Sequence, residues 1–466
     1  MKKEIKLPQG VRHIHCIGIG GSGMFPLVQI LHSQGYEISG SDNNESDILN
    51  LERQMGLQIH LGHSPENLAG ADMVMYTAAI LADNPELAAA RKMGIPMLER
   101  AEVLGAVSSR YQNAVGITGT HGKTTVTSIL THILYLAGKD PSAVIGGKLS
   151  TIGGYGRAGK TDLFVYEACE FQDHFLRTCP DVAIILNIDN DHMEYFGTVE
   201  NAMKSYTAFA NMAGRVLYNG DDANTCTAME PVEKEKYTFG MSPERDFYPA
   251  DVVRQDGFTC SFDLMHRGEK LTRLTLHIPG DHNILNAVAA AAEAWMQGVA
   301  PDEIARAMES FHGAGRRFEL VGRVDGVTIA DDYGHHPAEL TATLKAAMNL
   351  GYRQVWAVFQ PFTFSRTYLL LDDFVKALSL ADHVVLSSIM GSREVNTYNI
   401  HSSDLGEKIP GCAWRDTFEE VAEYVMSRVQ PGDLVLTMGC GDIYKCARMM
   451  LHMGRLKDQE QAEVVR

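Results

Sequence analysis

Short apolar runs alternate along this chain with stretches whose apolar residues recur at helical spacing. From Val11 to about Ser108, the runs HIHCIGI, YEISGSD and ADMVMYT predict strands, and the periods over Met24 to Gln34 and Asn84 to Met93 predict helices. A second block opens at NAVGITG and runs to about Gly313, with strand-like DLFVYEA and DVAIILNI and a helix through NAVAAAAEAW. A third begins near Arg316. It reads as strand VTIADDY, a helix from Pro337 to Met348, strand RQVWAVFQ, a helix over Phe374 to Leu380, strands DHVVLSS and DLVLTMG, and a last helix. Alternation of this kind builds parallel sheets with right-handed crossovers. The run from Glu230 to Thr272 follows neither period and predicts irregular structure.

Two strand-to-helix turns carry glycine loops. In HIHCIGIGGSGM, Gly18, Gly20 and Gly23 have the spacing G-x-G-x-x-G, with Gly21, Ser22 and Met24 between and after them. Such a turn lets the exposed helix N–H groups hold a diphosphate, and Asp42, in GSD after the second strand, stands where a ribose-binding acid is expected. NAD and a UDP-sugar fit it equally. In GTHGKTT the glycines Gly119 and Gly122, with Thr120, His121 and Thr125, form a nest of N–H groups for phosphates. Lys123 supplies charge there, and the Thr124 hydroxyl can ligate Mg²⁺. Ile117 replaces the first glycine of the general pattern. The expected fold class is therefore α/β in three domains: a Rossmann-like N-terminal domain (1–108), a central P-loop ATPase-type parallel-sheet domain (109–313) and a C-terminal Rossmann-like α/β domain (314–466).

A triphosphate needs metal, and strand ends in the second block offer ligands: Glu167 and Glu170 in VYEACEF, then Asp189, Asp191 and His192 in NIDNDHM. Hard oxygens suit Mg²⁺, while the histidine points to a softer position or Mn²⁺.

Composition narrows the partners. The 466 residues suffice for several cores, and 58 acidic against 41 basic residues give a net charge of -17. Such a surface repels nucleic acid and acidic membranes, so an anionic ligand has to be gripped by local features. No run is long and apolar enough to span a bilayer. The eight cysteines form no C-x-x-C pair, which argues against a zinc ribbon or a disulfide framework. A reduced, soluble, cytoplasmic protein is expected, monomer or homodimer, without nucleic acid or membrane insertion.

Taken together these residues resemble the Mur ligase family, the ATP-dependent amide ligases of peptidoglycan assembly. The likeness covers nearly the whole chain. Beyond the loops it is carried, in order, by EACE, NIDNDHM, PGDHNILNA, GAGRRFE, DDYGHHPAE, FQPFTFSRT and MGCGDI. GIGGSGM is similar to the alanine-adding branch. The resemblance implies that ATP phosphorylates the lactyl carboxylate of UDP-N-acetylmuramate and that the amine of L-alanine attacks the acyl phosphate. By position it implies that Lys123 holds the transferring phosphates, that Thr124 with Glu167 takes one metal, and that His192 with Glu167 takes a second. It puts His282, Asn283 and Asn286 on the adenine side. Arg317 and Asp332 would reach ATP on domain closure, with Arg316 either sharing that role or solvated. Tyr333, His335 and Arg366 would form the amino-acid site, where Arg366 can pair with a carboxylate, and His335 is a candidate catalytic group. Adjacent His335 and His336 at a helix start can also merely cap it.

Two departures stand out. The family commonly has histidine where this chain has Phe362, and often a basic residue at Thr363. No lysine matches the carbamylated lysine of several relatives, Lys204 being at the wrong spacing. Three alternatives compete: a recycling ligase that adds a preformed tripeptide, a nicotinamide-dependent oxidoreductase using the first loop, and an inert nucleotide-binding protein. The last two leave Lys123, Thr124, Glu167 and His192 unexplained.

Overall fold

A computed structural model describes residues 5–77, 80–255, 259–391 and 394–464. The first sheet holds β1 (His13–Ile17), β2 (Glu37–Asp42), β3 (Gln58–Leu61), β4 (Met73–Tyr76) and β5 (Met97–Glu99) in the order β3-β2-β1-β4-β5, all parallel. The second holds β6 (Asn113–Thr118), β7 (Ser142–Leu149), β8 (Gly154–Arg157), β9 (Leu163–Glu167), β10 (Val182–Ile185), β11 (Arg215–Asn219), β12 (Glu235–Phe239), β13 (Phe247–Gln255), β14 (Thr259–His266) and β15 (Glu269–Leu276). Its order is β15-β14-β13-β12-β11-β10-β6-β9-β7-β8. The strands from β12 to β7 around β6 are parallel, and β8 closes the edge antiparallel. The third holds β16 (Glu319–Val324), β17 (Val327–Asp332), β18 (Val355–Phe359), β19 (His383–Ser387), β20 (Ala413–Arg415) and β21 (Leu434–Met438) in the order β16-β17-β21-β18-β19-β20, parallel except for β16. The α/β class is as expected.

The chain divides into two compact units. One comprises Met1–Val252, Phe262–Thr275 and Leu285–Phe311, the other Val253–Ser261, Leu276–Ile284 and His312–Arg466. The helix Pro337–Met348 has the bounds its period gives, and Asn84 caps Pro85–Met93 by accepting from the Glu86 and Leu87 N–H groups. The helix expected over Phe374 to Leu380 lies at Leu371–Leu378, preceded by a short one at Phe364–Leu369. The stretch expected to be irregular, Glu230 to Thr272, instead carries β12, β13, β14 and most of β15. β12, β13 and β15 are half-exposed along much of their length, so polar residues occur on both faces and mask the two-residue period. None of the eight cysteines forms a disulfide.

Beneath the first sheet's glycine turn lie two buried carboxylates with opposite behaviour. Glu86 accepts hydrogen bonds from Ser41 and Asn67 and lies 3.6 Å from His15 Nε2. Burial opposes its charge, but His15, Ser41 and Asn67 outweigh burial and bring its pKa down to about 2. Glu52 is fully buried with no hydrogen-bond partner for either oxygen, and burial with the nearby Asp42 charge pushes it up to about 9. Unfolded, both titrate near pH 4.3, roughly. Glu86, depressed, adds stability above that pH that disappears as pH falls toward 2. Glu52, raised, adds stability below it that disappears as pH climbs toward 9. Glu52→Gln is therefore expected to flatten the fall in melting temperature between about pH 5 and 9 while leaving the acid limb in place. Calorimetry across that range that shows an unchanged alkaline slope would refute it.

Candidate functional site

In the second sheet β6 lies between β10 and β9, so the chain leaves β6 at a switch point where the carboxyl ends of neighbouring strands open a crevice. The loop 119–122 sits there and feeds the helix Lys123–Leu136, which is buried from Thr124 to Leu134. Its shape requires glycine twice. Gly119 has φ +144 and a side chain would strike Leu186 and the Asn187 backbone; Gly122 has φ +88 and a Cβ would lie 2.6 Å from Asn286 Oδ1. The segment after β10 braces the loop from outside. Asn187 Oδ1 accepts from the His121 N–H at 2.8 Å, Asn187 Nδ2 donates to the His121 carbonyl, and Thr120 Oγ1 accepts from the Asp189 N–H at 2.9 Å. His121 Nε2 lies 3.4 Å from Asp189.

Glu167, ending β9, is brought to the loop: the Thr124 hydroxyl donates to its Oε2 at 3.2 Å, and the Gly146 N–H donates to Oε1. Lys123 is engaged by its own surroundings. Its ammonium donates to the carbonyls of Gly119 and Thr120 and to Glu170 Oε1, the last at 2.9 Å. Burial works against that charge, but Glu170, with Cys169 and Glu167, outweighs burial and holds the lysine above its ordinary pKa. Past β10, Asp191 accepts from the His192 N–H, and the His192 ring packs 4.8 Å from that of Phe171. His192 (φ 55), Gln172 (φ 52) and Asp173 (φ 56) are non-glycine residues in the left-handed region, a strain that clusters at functional sites. Among the described residues no three His, Cys, Asp or Glu side chains form a ready metal cluster.

The first glycine turn follows β1, which again sits at a switch between β2 and β4. Gly18 has φ +79, and a Cβ there would lie 2.8 Å from Thr77 Cγ2. Asp42 turns its carboxylate onto the turn itself, accepting from the Gly20 N–H at 3.1 Å. Gly21 accepts the Met24 N–H, and the helix Phe25–Ser33 starts with Pro26 in its first turn. Ser22 and Gly23 complete the turn, and the guanidinium of Arg100 stands beside Gly23, 3.4 Å from its carbonyl oxygen. Arg100 lies outside the motifs that mark the site in the sequence. Its signal is a cation opening the helix Arg100–Ser108, where the helix dipole disfavours positive charge.

The other unit gathers the remaining candidates. Arg316 (φ 60) and Phe318 (φ 47) flank Arg317 in the left-handed region. Arg316 is an internal brace, bonded to Asp331 at 2.9 Å and to the carbonyls of Gly439 and Gly441. Arg317 lies over the Tyr333 ring, 5.1 Å from its centroid. Asp332 is buried and fastens this turn, accepting from the Phe318 and Gly334 N–H groups at 2.8 Å. His335 adjoins both Tyr333 and Phe362, with ring centroids at 5.7 and 6.3 Å. Burial pushes the Tyr333 hydroxyl up to about 12. Arg366 lies on the helix Phe364–Leu369, and Thr363 is that helix's N-cap, which accounts for a hydroxyl residue there. His336 caps the helix Pro337–Met348 in a capping box with Glu339. Of the adenine-side motif, Asn283 donates to the Pro279 carbonyl at 2.7 Å, and His282 packs against Gly280 (φ +100). Asn286, in the first unit, lies against Gly122 of the phosphate loop.

Comparison with known proteins covers the same segments. Residues 13–112 match a model described as Mur ligase family, catalytic domain; 117–294 match the Mur ligase middle domain; 316–441 match the Mur ligase, glutamate ligase domain. A UDP-N-acetylmuramate–L-alanine ligase of Acetivibrio thermocellus is 40% identical over 466 residues, covering 98% of each chain. The crystal structure of the UDP-N-acetylmuramate-alanine ligase MurC from Thermotoga maritima superposes with a TM-score of 0.82 at 26% identity, over 96% of this chain and 99% of that one. A murein peptide ligase from Psychrobacter arcticus has a TM-score of 0.74 at 22% identity, over 95% and 98%, a likeness of fold alone. These matches give no support to a nicotinamide oxidoreductase. Three family models in sequence and a 40% identical relative of equal extent place the chain in the Mur ligase family.

Proposed function

We propose that this chain is an ATP-dependent amide ligase that joins L-alanine to the lactyl carboxylate of UDP-N-acetylmuramate, releasing ADP and phosphate, in peptidoglycan precursor synthesis. The observation that carries the reading is the phosphate loop with Lys123, Thr124 and Glu167 gathered at adjoining strand ends, in a chain 40% identical end to end with an L-alanine ligase. Residues 1–108 bind the UDP-sugar, 109–313 bind ATP and 314–466 receive the amino acid.

A carboxylate is a poor electrophile, so it is first activated. Its oxygen attacks the γ-phosphorus, the bond to the β-phosphate oxygen breaks, and ADP leaves an acyl phosphate. The amine then attacks the carbonyl carbon, and the tetrahedral intermediate collapses with loss of phosphate. Catalysis here is mainly positioning and charge neutralisation. The N–H nest from Gly119 to Thr125 cradles the phosphates, with Asn187 and Asn286 holding its shape. Lys123 exchanges Glu170 for the transferring group. The first turn takes the sugar nucleotide's diphosphate, with Arg100 as a nearby cation and Asp42 fixing the turn. Thr124 Oγ1 and Glu167 are hard oxygen donors that fit Mg²⁺, with His192 able to serve a second Mg²⁺ or Mn²⁺. Bound metal would neutralise charge on the phosphates. Arg366 pairs with the amino acid's carboxylate beside Tyr333 and His335.

Phosphate release from ATP with UDP-N-acetylmuramate, offered L-alanine, glycine, L-serine or tripeptide in turn, tests the reading. L-Alanine is expected to give the highest kcat/KM. No release with any single amino acid would sink the ligase proposal, and release with tripeptide alone would convert it to the recycling reaction.

A further inference from the structure

We propose that Glu99 and His174 are positioning residues that hold the segment from Glu170 to Arg177 between the two nucleotide loops, so that each nucleotide tightens the binding of the other. The proposal rests on the ligase reading and deepens it. All the residues involved lie in the first compact unit. At the start of the segment, Glu170 Oε1 accepts from Lys123 of the phosphate loop at 2.9 Å. In its middle, the Phe171 ring packs 4.8 Å from that of His192, and Asp173 Oδ2 accepts from the Tyr195 hydroxyl at 2.7 Å. At its end, the oxygens of Glu99 are divided between His174 Nε2, at 2.9 Å, and Arg177, which donates at 2.6 Å. Both Glu99 and His174 are largely buried.

Glu99 belongs to the other loop. It ends β5, and the next residue, Arg100, is the cation beside Gly23 of the first glycine turn. The helix Arg100–Ser108 is fastened again just beyond the segment, where the Cys179 N–H donates to Ser108 Oγ at 3.0 Å. Burial lowers the pKa of His174, Glu99 opposes this, and Arg177 and Arg100 add to the lowering. The ring is thus neutral at pH 7, and its link to Glu99 is one of placement rather than of paired charge. Between these grips Gln172 and Asp173 keep left-handed backbone, at φ 52 and 56, which persists only while the surroundings hold it. ATP draws Lys123 away from Glu170 and releases one grip. A diphosphate at the first turn engages Arg100 and fixes the adjoining Glu99 at the other end. A segment secured there keeps its shape when the Lys123 grip is given up, so the second nucleotide binds at less cost. Such coupling is reciprocal.

Equilibrium titration of the full-length protein with the β,γ-imido analogue of ATP and Mg²⁺, without and with saturating UDP-N-acetylmuramate, and the converse titration, test this. In the parent each ligand is expected to tighten the other by one shared factor, about 5- to 150-fold. In His174→Ala and in Glu99→Gln that factor should fall toward unity, while each ligand alone keeps its parental affinity. Glu99→Gln preserves the size of the side chain, so the comparison stands even where His174→Ala fails to fold. His174→Gln, which keeps a donor within reach of Glu99, should restore most of the factor. A merely structural role would lower the melting temperature or weaken both ligands and leave the factor as it was. Variants that retain the factor, or a parent that binds both ligands without mutual tightening, would overturn the proposal and leave the ligase reading in place. A parent that binds neither ligand would instead overturn the ligase reading, and this proposal with it.

Discussion

Lys123→Ala is expected to lower turnover by at least about 10²- to 10³-fold, since a cation aimed at developing charge in a water-poor site is worth roughly 3–4 kcal/mol. The same substitution has a second effect. Glu170 is 4% exposed at its side chain and relies on Lys123, which is 18% exposed. Removing one partner of a buried pair leaves an uncompensated charge and costs about 3–5 kcal/mol. Lost activity in the single variant would therefore mix catalysis with unfolding. Lys123→Ala combined with Glu170→Gln separates them. The double variant should regain most of the melting temperature and none of the turnover, measured by calorimetry and phosphate release. A double variant with restored turnover would mean that Lys123 does not serve the transferring phosphate.

Gly105→Ala should be among the most destabilising small substitutions in the chain. Two effects compete there. Gly105 is inside the helix Arg100–Ser108, where alanine is favoured over glycine by about 1 kcal/mol. Against this, an added Cβ would overlap the Arg177 carbonyl oxygen, 3.1 Å from the carbonyl carbon, with Ile5 Cδ1 at 3.3 Å. The obstruction is backbone rather than a side chain that could rotate, so the helix or the 171–177 segment has to shift. Overpacking of this kind costs about 1–3 kcal/mol and more when backbone is forced apart, so the clash outweighs the propensity gain. A melting temperature at or above that of the parent would show that the helix re-seats freely.

The sequence made some parts of this molecule legible and hid others for physical reasons. Buried parallel strands such as β6, β10 and β18 announce themselves because both faces are covered and the run is continuously apolar. Glycine at the phosphate loop is equally visible, since Gly119 and Gly122 occupy conformations and spaces that other residues cannot. What could not be read were pairings across long separations. Arg100 meets Gly23 and Glu170 meets Lys123 only after folding, and a lone charge carries no local pattern. The oxygens of Asp332 accept from the Phe318 and Gly334 backbone N–H groups, and a motif marks the residue without saying which way its carboxylate turns. Thr363 departs from the family's basic residue, and its role as a cap follows from the helix after it, whose Arg366 N–H its hydroxyl accepts.

The unbridged cysteines have a practical consequence. Oxidants and alkylating agents attack the thiolate, not the thiol. Burial raises the pKa of Cys16, Cys169 and Cys260, takes Cys412 to about 11, and takes Cys440 and Cys446 to about 12. At pH 7 a thiol of pKa 12 is ionised on the order of once in 10⁵. These six thiols are therefore chemically quiet in the folded chain. They become a liability in molecules that have already opened, where their labelling counts unfolding rather than surface chemistry.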